Sequence, residues 1–179
     1  MIHIIGGGLA GSEAAWQAAS LGVEGCLYEM RPEQATAVHQ TDRLAELVCS
    51  NSFRGDTLTN AVGLLKAEMR QLKSLVMKIG DQTSVPAGTA LAVDRTQFAD
   101  QMTSALEAHP LVTIQRKEIH EIPPPCDPLE PVIIATGPLT SASLSDEIAT
   151  FVGTDHLYFY DAISPIVLAD SIDQTVAFR

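Results

Sequence analysis

A glycine loop after a short apolar segment constrains the fold of this chain more than any other feature. Residues 2–5 are apolar or β-prone and lead directly into Gly6-Gly7-Gly8-Leu9-Ala10-Gly11, which fits the pattern G-x-G-x-x-G. In this pattern the first glycine permits a tight turn, the second lets a pyrophosphate approach the backbone, and the third lets strand and helix pack closely. The Ala-rich stretch that follows predicts a helix whose N-terminus points N–H groups at the phosphates. The loop therefore predicts a dinucleotide site at the start of a βαβ unit.

A second apolar segment, VEGCLYEM, predicts a buried strand that ends at Glu29, 18 residues after Gly11. An acid in this position accepts hydrogen bonds from the adenosine ribose, and its charge repels the 2′-phosphate of NADP. The choice between NAD and FAD depends on Ala135-Thr136-Gly137. A hydrophobic strand that ends in Ala-Thr-Gly resembles the second fingerprint of flavoproteins with two dinucleotide-binding domains. Together the motifs favour FAD and predict an α/β, Rossmann-like FAD-binding domain with a parallel sheet.

The rest of the chain gives a coarser set of expectations. We assign residues 1–179 to one FAD-binding domain, in which residues 40–93 form an active-site loop and helical insertion. Residues 61–78 predict a single helix with an apolar stripe formed by Val62, Leu65, Met69, Leu72 and Val76. Asp94 and Gln97 resemble a capping box at the start of another helix. The alternation in residues 111–122 predicts a meander strand, and no helix is predicted after Gly137.

Charge limits the partners that the chain can bind. The 179 residues carry a net charge of −11, which argues against general nucleic-acid binding, because attraction to phosphates supplies most non-specific affinity. Residues 54–78 are the exception, with five basic residues against two acids. An anionic partner is therefore expected there, although solvated helix faces are the simpler interpretation. The five histidines and three cysteines show no metal-ligand spacing, and no apolar run is long enough to span a membrane. We expect a cytoplasmic protein without a metal.

The three cysteines lie in different contexts and suggest no disulfide framework. Cys49 lies in LVCSNSFRGD, where an apolar segment gives way to a polar loop, and loops commonly present reactive groups. Cys26 lies inside the second strand and is interpreted as a small core residue. Cys126 lies in a Pro-rich loop, and no chemistry is expected of it. His39 lies in the irregular loop after Arg31 and could approach a ligand, but an exposed loop histidine is the favoured interpretation.

Six segments together are similar to the folate- and FAD-dependent tRNA (uracil-5-)-methyltransferases. This family is related to the flavoproteins that modify the wobble uridine of tRNA. The segments are IIGGGLAGSEAAWQAA, YEMRP, ELVCSNSFRGD, VPAGTALAVDR, IIATGPLTS and YFYDAISPIV. The resemblance implies transfer of a one-carbon unit from 5,10-methylenetetrahydrofolate to C5 of a uridine in the tRNA T-loop, with FAD as cofactor and NAD(P)H as reductant. Members of the family are typically more than twice this length, so the resemblance also implies that the chain is an N-terminal portion.

The resemblance implies roles for particular residues. Cys49 becomes the catalytic candidate, either as the nucleophile that adds to C6 or as the base that removes the C5 proton. Met30 and Arg31 join the glycine loop, Glu29 and residues 135–137 as cofactor-binding candidates. The basic residues of the middle segment become candidates for the tRNA-binding face: Arg54, Lys66, Arg70 and Lys73. A role beside the cofactor is possible for Tyr158-Phe159-Tyr160-Asp161, although strand packing is the first interpretation.

Two alternatives to the enzyme remain open. One is a non-catalytic module that binds FAD or RNA, and the other is an NAD-linked oxidoreductase. The sequence does not decide between transfer and ribosomal RNA as the substrate, and it gives no oligomeric state.

Overall fold

Four parallel strands form the central sheet. The computed structural model describes residues 1–123, 130–153 and 172–173. The strand order is β6-β2-β1-β7, and every pairing is parallel. The strands are β1 (Ile2–Ile5), β2 (Gly25–Glu29), β6 (Val112–Arg116) and β7 (Val132–Ile134). The Rossmann-like α/β fold predicted from the glycine loop is confirmed.

Helix α1 (Leu9–Ser20) connects β1 to β2 and completes the predicted βαβ unit. Its buried face consists of small residues, which let the helix axis approach the sheet closely: Gly11, Ser12, Ala15, Ala18 and Ala19. Gly22 follows the helix with a φ of +81°, the left-handed conformation that commonly ends a helix. The small side chains of α1 therefore fix the glycine loop at its N-terminus against the carboxyl end of β1.

The register of the sheet brings four strand ends to one edge. Ile5 pairs with Tyr28 and with Ile134, and Glu29 pairs with Arg116. Parallel strands place their carboxyl ends at the same edge, which is where open α/β sheets bind ligands. The glycine loop, residues 29–31, residues 117–119 and residues 135–137 consequently lie along this edge.

Between β2 and β6 the chain forms a second, antiparallel sheet with the order β3-β5-β4. Its strands and the helices around it are β3 (Ser52–Gly55), α2 (Ala61–Gln71), α3 (Leu75–Gln82), β4 (Ser84–Val85), β5 (Ala90–Val93) and α4 (Arg95–Glu107). Asp94 caps α4 as predicted, because its Oδ1 accepts hydrogen bonds from the backbone of Thr96 and Gln97, both at 3.0 Å.

The two sheets share one hydrophobic core. Phe98 of α4 is fully buried, and its ring lies 5.6 Å from the ring of Phe53 in the antiparallel sheet. The same cluster contains Ile4 and Leu27 of the parallel sheet and Ile79 of α3. Burying a side chain the size of Phe98 contributes about 1.5–3 kcal/mol to folding. The core thus fixes residues 40–93 against the sheet that carries the glycine loop.

The single helix predicted over residues 61–78 is wrong only in its continuity, because residues 72–74 interrupt it and two helices take its place. The chain leaves the helix at Leu72, and Lys73 takes a left-handed φ of +58°. Ser74 then starts α3, and its hydroxyl accepts a hydrogen bond from the backbone of Met77 at 3.2 Å. The predicted stripe is not one buried face, either within α2 or across the break. Leu65 and Leu72 are exposed, and Val76 is buried.

Two further expectations differ from the structure. Residues 112–116 pair in parallel with β2, so the predicted meander strand is wrong, because α4 returns the chain to the first sheet. A helix that was not predicted, α5 (Ala142–Val152), follows β7 and a single 3₁₀ turn. Its end at Gly153, with a φ of +70°, is an ordinary helix stop signal in the sequence. Cys126 and Tyr158-Phe159-Tyr160-Asp161 lie outside the described residues.

Candidate dinucleotide-binding site

A cavity of about 330 Å³ opens at the carboxyl edge of the parallel sheet. Its walls come from the segments that follow all four strands, together with His39, Glu46 and Val48 from the loop before β3. Every predicted cofactor-binding residue except Gly11 lines it: Gly6, Gly7, Gly8, Leu9, Ala10, Glu29, Met30, Arg31, Ala135, Thr136 and Gly137. The fold therefore gathers residues that are more than 120 positions apart in the sequence.

The glycines of the loop differ in what surrounds them. Gly6 has a φ of +108°, and a Cβ on it would lie 2.6 Å from the carbonyl oxygen of Ala135. A Cβ on Gly11 would overlap the carbonyl oxygen of Gly6. Gly8 has an ordinary φ of −72°, and no atom of the described structure lies within 4 Å of a Cβ built on it. Packing thus requires Gly6 and Gly11, whereas Gly8 leaves open space above the backbone at the start of α1.

Glu29 is buried at the end of β2 and is fully hydrogen-bonded. Its Oε2 accepts from the backbone N–H of Gly7 at 3.1 Å and from Nη2 of Arg31 at 3.0 Å. Its Oε1 accepts from the backbone N–H of Arg31 at 2.9 Å and from Nε of Arg31 at 2.8 Å. Burial alone would raise the pKa of Glu29, but the hydrogen bonds and charge of Arg31 outweigh it and lower the pKa. The carboxylate is therefore ionised at neutral pH and is joined directly to the glycine loop.

Arg31 connects Glu29 to the loop before β3. Its Nη1 donates to Oε2 of Glu46 at 3.0 Å and to the carbonyl oxygen of Thr41 at 3.1 Å. Glu46 also accepts from the backbone N–H groups of Gln40 and Thr41, at 2.9 and 3.1 Å, and from the Thr41 hydroxyl at 2.8 Å. These contacts form a triad, Glu29–Arg31–Glu46, in which two carboxylates share one guanidinium and leave one net negative charge.

His39 also lines the cavity, so the favoured interpretation of an exposed loop histidine is wrong. Its Nδ1 lies 2.7 Å from the hydroxyl of Thr36, and the side chain is half-buried. Burial, followed by the positive charge of Arg31, lowers the pKa of His39, although Glu46 and Glu29 oppose this effect. The ring is therefore neutral at pH 7, and the triad keeps its net negative charge.

The segment after β7 lies against the glycine loop. The backbone N–H of Ala135 donates to the carbonyl oxygen of Ile5 at 2.8 Å, so this segment continues directly from the sheet. Gly137 has a φ of +62° and starts the 3₁₀ turn, and the hydroxyls of Thr136 and Thr140 lie 2.6 Å apart. The two glycine-containing segments thus form adjacent walls of one cavity.

Cys49 lies at the outer end of the loop that reaches the cavity. Val48 lines the cavity, whereas the Cys49 side chain is exposed to solvent. Cys26 is buried inside β2, so Cys49 is the accessible thiol of the two cysteines in the described ranges. Cys49 therefore directly follows a residue of the cavity wall in the sequence, and its own side chain is exposed to solvent.

The four predicted basic contacts do not form one continuous face. Lys66 is buried, and its ammonium donates to the carbonyl oxygens of Gly55 at 2.7 Å and Val62 at 3.0 Å. Arg70 is held between the carboxylates of Asp56 and Asp81, which occupy its guanidinium.

Arg54 and Lys73 are the two predicted contacts whose side chains are exposed, and both have left-handed backbones, with φ values of +65° and +58°. Arg54 also lies at an irregularity in the pairing of β3 with β5. A side chain larger than glycine takes such a conformation at some energetic cost. These two residues remain the exposed part of the predicted basic surface.

Neither a metal site nor a membrane span is found in the described part of the chain. Residues 1–123, 130–153 and 172–173 contain no group of three or more His, Cys, Asp or Glu side chains arranged to hold a metal ion. Within the same ranges, no helix has both the length and the apolar character needed to cross a bilayer.

The contacts that sequence reasoning missed come from loops. Residues 117–119 line the cavity because they follow β6, and recognising β6 as a parallel strand would have located them. Glu46 carries no local signal, because only the folded chain brings it to Arg31.

Comparison with known proteins gives a consistent family. The family model described as glucose inhibited division protein A matches residues 1–179. The curated protein methylenetetrahydrofolate–tRNA-(uracil-5-)-methyltransferase TrmFO from Bartonella bacilliformis is 59% identical over 178 residues, which is 99% of this chain and 38% of the relative. The protein of that name from Phenylobacterium zucineum is 60% identical over 179 residues, again 99% of this chain and 38% of the relative.

A solved structure, GidA of Aquifex aeolicus, matches with a TM-score of 0.59 and 20% identity, over 76% of this chain and 24% of that chain. At this identity the match supports the fold alone. The chain spans about 38% of the length of the curated relatives it matches. With the family model covering all of its residues, the chain belongs to the glucose inhibited division protein A family.

Proposed function

We propose that this chain forms the FAD-binding part of an enzyme that transfers a one-carbon unit from 5,10-methylenetetrahydrofolate to C5 of a uridine in the T-loop of tRNA, with NAD(P)H as reductant. The names of the relatives support the folate donor, the tRNA and the uracil position. Because tRNA is the substrate of this reaction, we also propose the cytoplasm as the compartment, which fractionation of cells would test.

The open space above Gly8 is the observation that carries the proposal. It lies at the N-terminus of α1, where backbone N–H groups and the positive end of the helix dipole attract a pyrophosphate. Glu29 lies on the next strand, where an acid recognises the adenosine ribose of a dinucleotide. The net negative charge of the Glu29–Arg31–Glu46 triad disfavours a 2′-phosphate, so NADP is a poor ligand for this cavity. The residues present therefore fit FAD.

Each group of residues has a separate task in binding. The loop Gly6–Gly11 holds the pyrophosphate, and Glu29, Met30 and Arg31 surround the adenosine ribose. Residues 135–137 form the wall next to the glycine loop. When bound, FAD supplies the redox chemistry that a one-carbon transfer from a methylene donor requires.

Cys49 is the group that we propose to react with the uracil. Chemistry at C5 requires a nucleophile at C6 and a base for the C5 proton, and a thiolate is suited to either task. Cys49 is exposed, and the residue before it forms part of the cavity wall. A uracil bound at this rim would contact the thiol from solvent while the cofactor occupies the interior.

The visible absorption spectrum of the purified chain tests the cofactor, and a product assay tests the activity. We expect flavin bands, and FAD as the compound released on denaturation. Incubation of the flavin-loaded chain with methylenetetrahydrofolate, NADPH and unmodified tRNA should then produce 5-methyluridine in the T-loop. Binding of NAD without any flavin would instead support an NAD-linked oxidoreductase. Flavin without product would support a non-catalytic binding module.

Arg54 and Lys73 are the residues that we propose for contact with tRNA, because their cations are exposed while Lys66 and Arg70 are engaged within the protein. Removing one phosphate contact should reduce the slope of log affinity against log salt by about 0.7–0.9. We therefore expect Arg54→Gln to weaken tRNA binding and to flatten its salt dependence, as measured by filter binding over a salt series. The control is Arg95→Gln, which removes another exposed arginine, at the start of α4. Equal slopes for the two variants would contradict the assignment.

A further inference from the structure

We propose that Glu46 is a positioning residue that couples occupation of the dinucleotide cavity to the position of the Cys49 segment. The inference rests on the proposed function, namely that FAD occupies the cavity and that Cys49 acts at its rim. It adds to that function a link between the two sites, formed by residues of this chain.

The first part of the link joins Glu46 to the glycine loop. Glu46 binds Nη1 of Arg31 at 3.0 Å, Arg31 holds both oxygens of Glu29, and Glu29 accepts from the backbone of Gly7 at 3.1 Å. The side chains of Arg31 and Glu46 are 4% and 13% exposed, so water screens their ion pair weakly. A ligand that moves Arg31 or Glu29 therefore changes the position of Glu46.

Arg31 is well placed to respond to a ligand. Two of its guanidinium nitrogens donate to Glu29, and Nη1 donates to Thr41 and Glu46. A carboxylate has about four acceptor positions, and Glu29 already receives four hydrogen bonds. Ribose hydroxyls can bind Glu29 only by sharing or replacing bonds from Arg31 or Gly7. Ligand binding at Glu29 is thus expected to alter the geometry of Arg31.

The second part of the link joins Glu46 to Cys49. Only Leu47 and Val48 separate the two residues, and Val48 lines the cavity. On the other side, Ala45 is buried with a left-handed φ of +53°, and its N–H donates to the carbonyl oxygen of Gly7 at 2.8 Å.

Leu44 is fully buried, and its N–H donates to the hydroxyl of Thr103 at 2.9 Å. Leu47, directly after Glu46, also belongs to the hydrophobic core, so the segment is anchored on both sides of Glu46 and becomes exposed at Cys49. A shift of Glu46 therefore reaches Cys49 through the backbone of Leu47 and of Val48, which lines the cavity.

The test compares Glu46→Gln with Glu33→Gln, which removes an exposed carboxylate two positions after Arg31. The measurement is the rate of alkylation of Cys49 by iodoacetamide, with and without saturating FAD, with the modified peptide identified by mass spectrometry. In the parent chain and in Glu33→Gln, we expect FAD to change this rate by about fivefold or more. In Glu46→Gln at saturating FAD, we expect less than about a twofold change.

A second variant provides the test if Glu46→Gln does not fold. Thr41→Val removes the hydroxyl that donates to Glu46 at 2.8 Å and accepts from the exposed backbone N–H of Arg43 at 3.2 Å, and we expect an FAD effect between those of the parent and Glu46→Gln. A full FAD effect in Glu46→Gln, or no FAD effect in a parent chain that binds FAD, would overturn the inference. If the parent chain does not bind FAD at all, the proposed function fails, and the inference fails with it.

Discussion

Gly8→Val is expected to weaken FAD binding by at least about 100-fold, or about 2.8 kcal/mol, while the fold remains intact. The valine side chain would occupy the open space above the start of α1, where the proposed pyrophosphate binds. The backbone at Gly8, with a φ of −72° and a ψ of −170°, accommodates any residue without strain. Gly8 is also the N-cap of α1, so valine costs about 1 kcal/mol of stability at most. Fluorescence titration with FAD and thermal unfolding measure the two effects separately.

Gly11→Ala is the matched control, because we expect it to reduce folding stability rather than to block the space above Gly8. A methyl group on Gly11 would overlap the carbonyl oxygen of Gly6, and both residues lie where α1 meets β1. Overpacking of this kind costs about 1–3 kcal/mol. The melting temperature should therefore fall further in Gly11→Ala than in Gly8→Val, and only Gly8→Val should lose FAD affinity at temperatures where the protein is folded. Normal FAD affinity in Gly8→Val would contradict the assignment of this space to the pyrophosphate.

Cys49→Ala is expected to lower the rate of 5-methyluridine formation by at least about a hundredfold, which is the smallest loss typical for removal of an acid–base group. The loss should be larger if the thiolate is the nucleophile. FAD affinity and the melting temperature should remain unchanged, because the side chain is exposed and does not line the cavity. The measurement is the initial rate of methyl transfer to unmodified tRNA by flavin-loaded protein.

Cys26→Ala provides the comparison for Cys49→Ala. Cys26 is 2% exposed inside β2, so its removal should reduce stability without a specific effect on the transfer rate. A Cys49→Ala protein that retains the parental rate would remove this thiol from the mechanism. A loss of flavin in the same variant would instead assign Cys49 a role in holding the cofactor.

The parts of the fold that depend on local sequence were predictable. The glycine loop, α1 and β2 follow from short-range patterns, since small residues at helical spacing and a β-prone run determine them directly. The cap of Asp94 is local in the same way. The break at Lys73 was not predictable from periodicity, because the apolar spacing continues through it while the backbone turns.

The candidate site was predictable only where it follows strand ends. Glu29 ends β2 and residues 135–137 follow β7, so the parallel sheet brings them to the glycine loop. Glu46 and His39 come from an irregular loop, and their contacts with Arg31 and the cavity depend on tertiary packing. Lys66 shows the opposite case: its charge suggested a solvated face, but two carbonyl oxygens bind its ammonium inside the protein.

The different surroundings of the loop glycines have an evolutionary consequence. Substitution of Gly6 or Gly11 meets backbone atoms, those of Ala135 and the carbonyl oxygen of Gly6, respectively, whereas a Cβ on Gly7 meets the side-chain ends of Glu29 and Leu44. Selection for a folded protein is enough to retain Gly6 and Gly11, even in a descendant that has lost its cofactor. Gly8 has no such neighbour among the described residues, so only selection for the ligand retains it. In a lineage that drifts away from flavin chemistry, the glycine at this position should be the first of the four to be replaced.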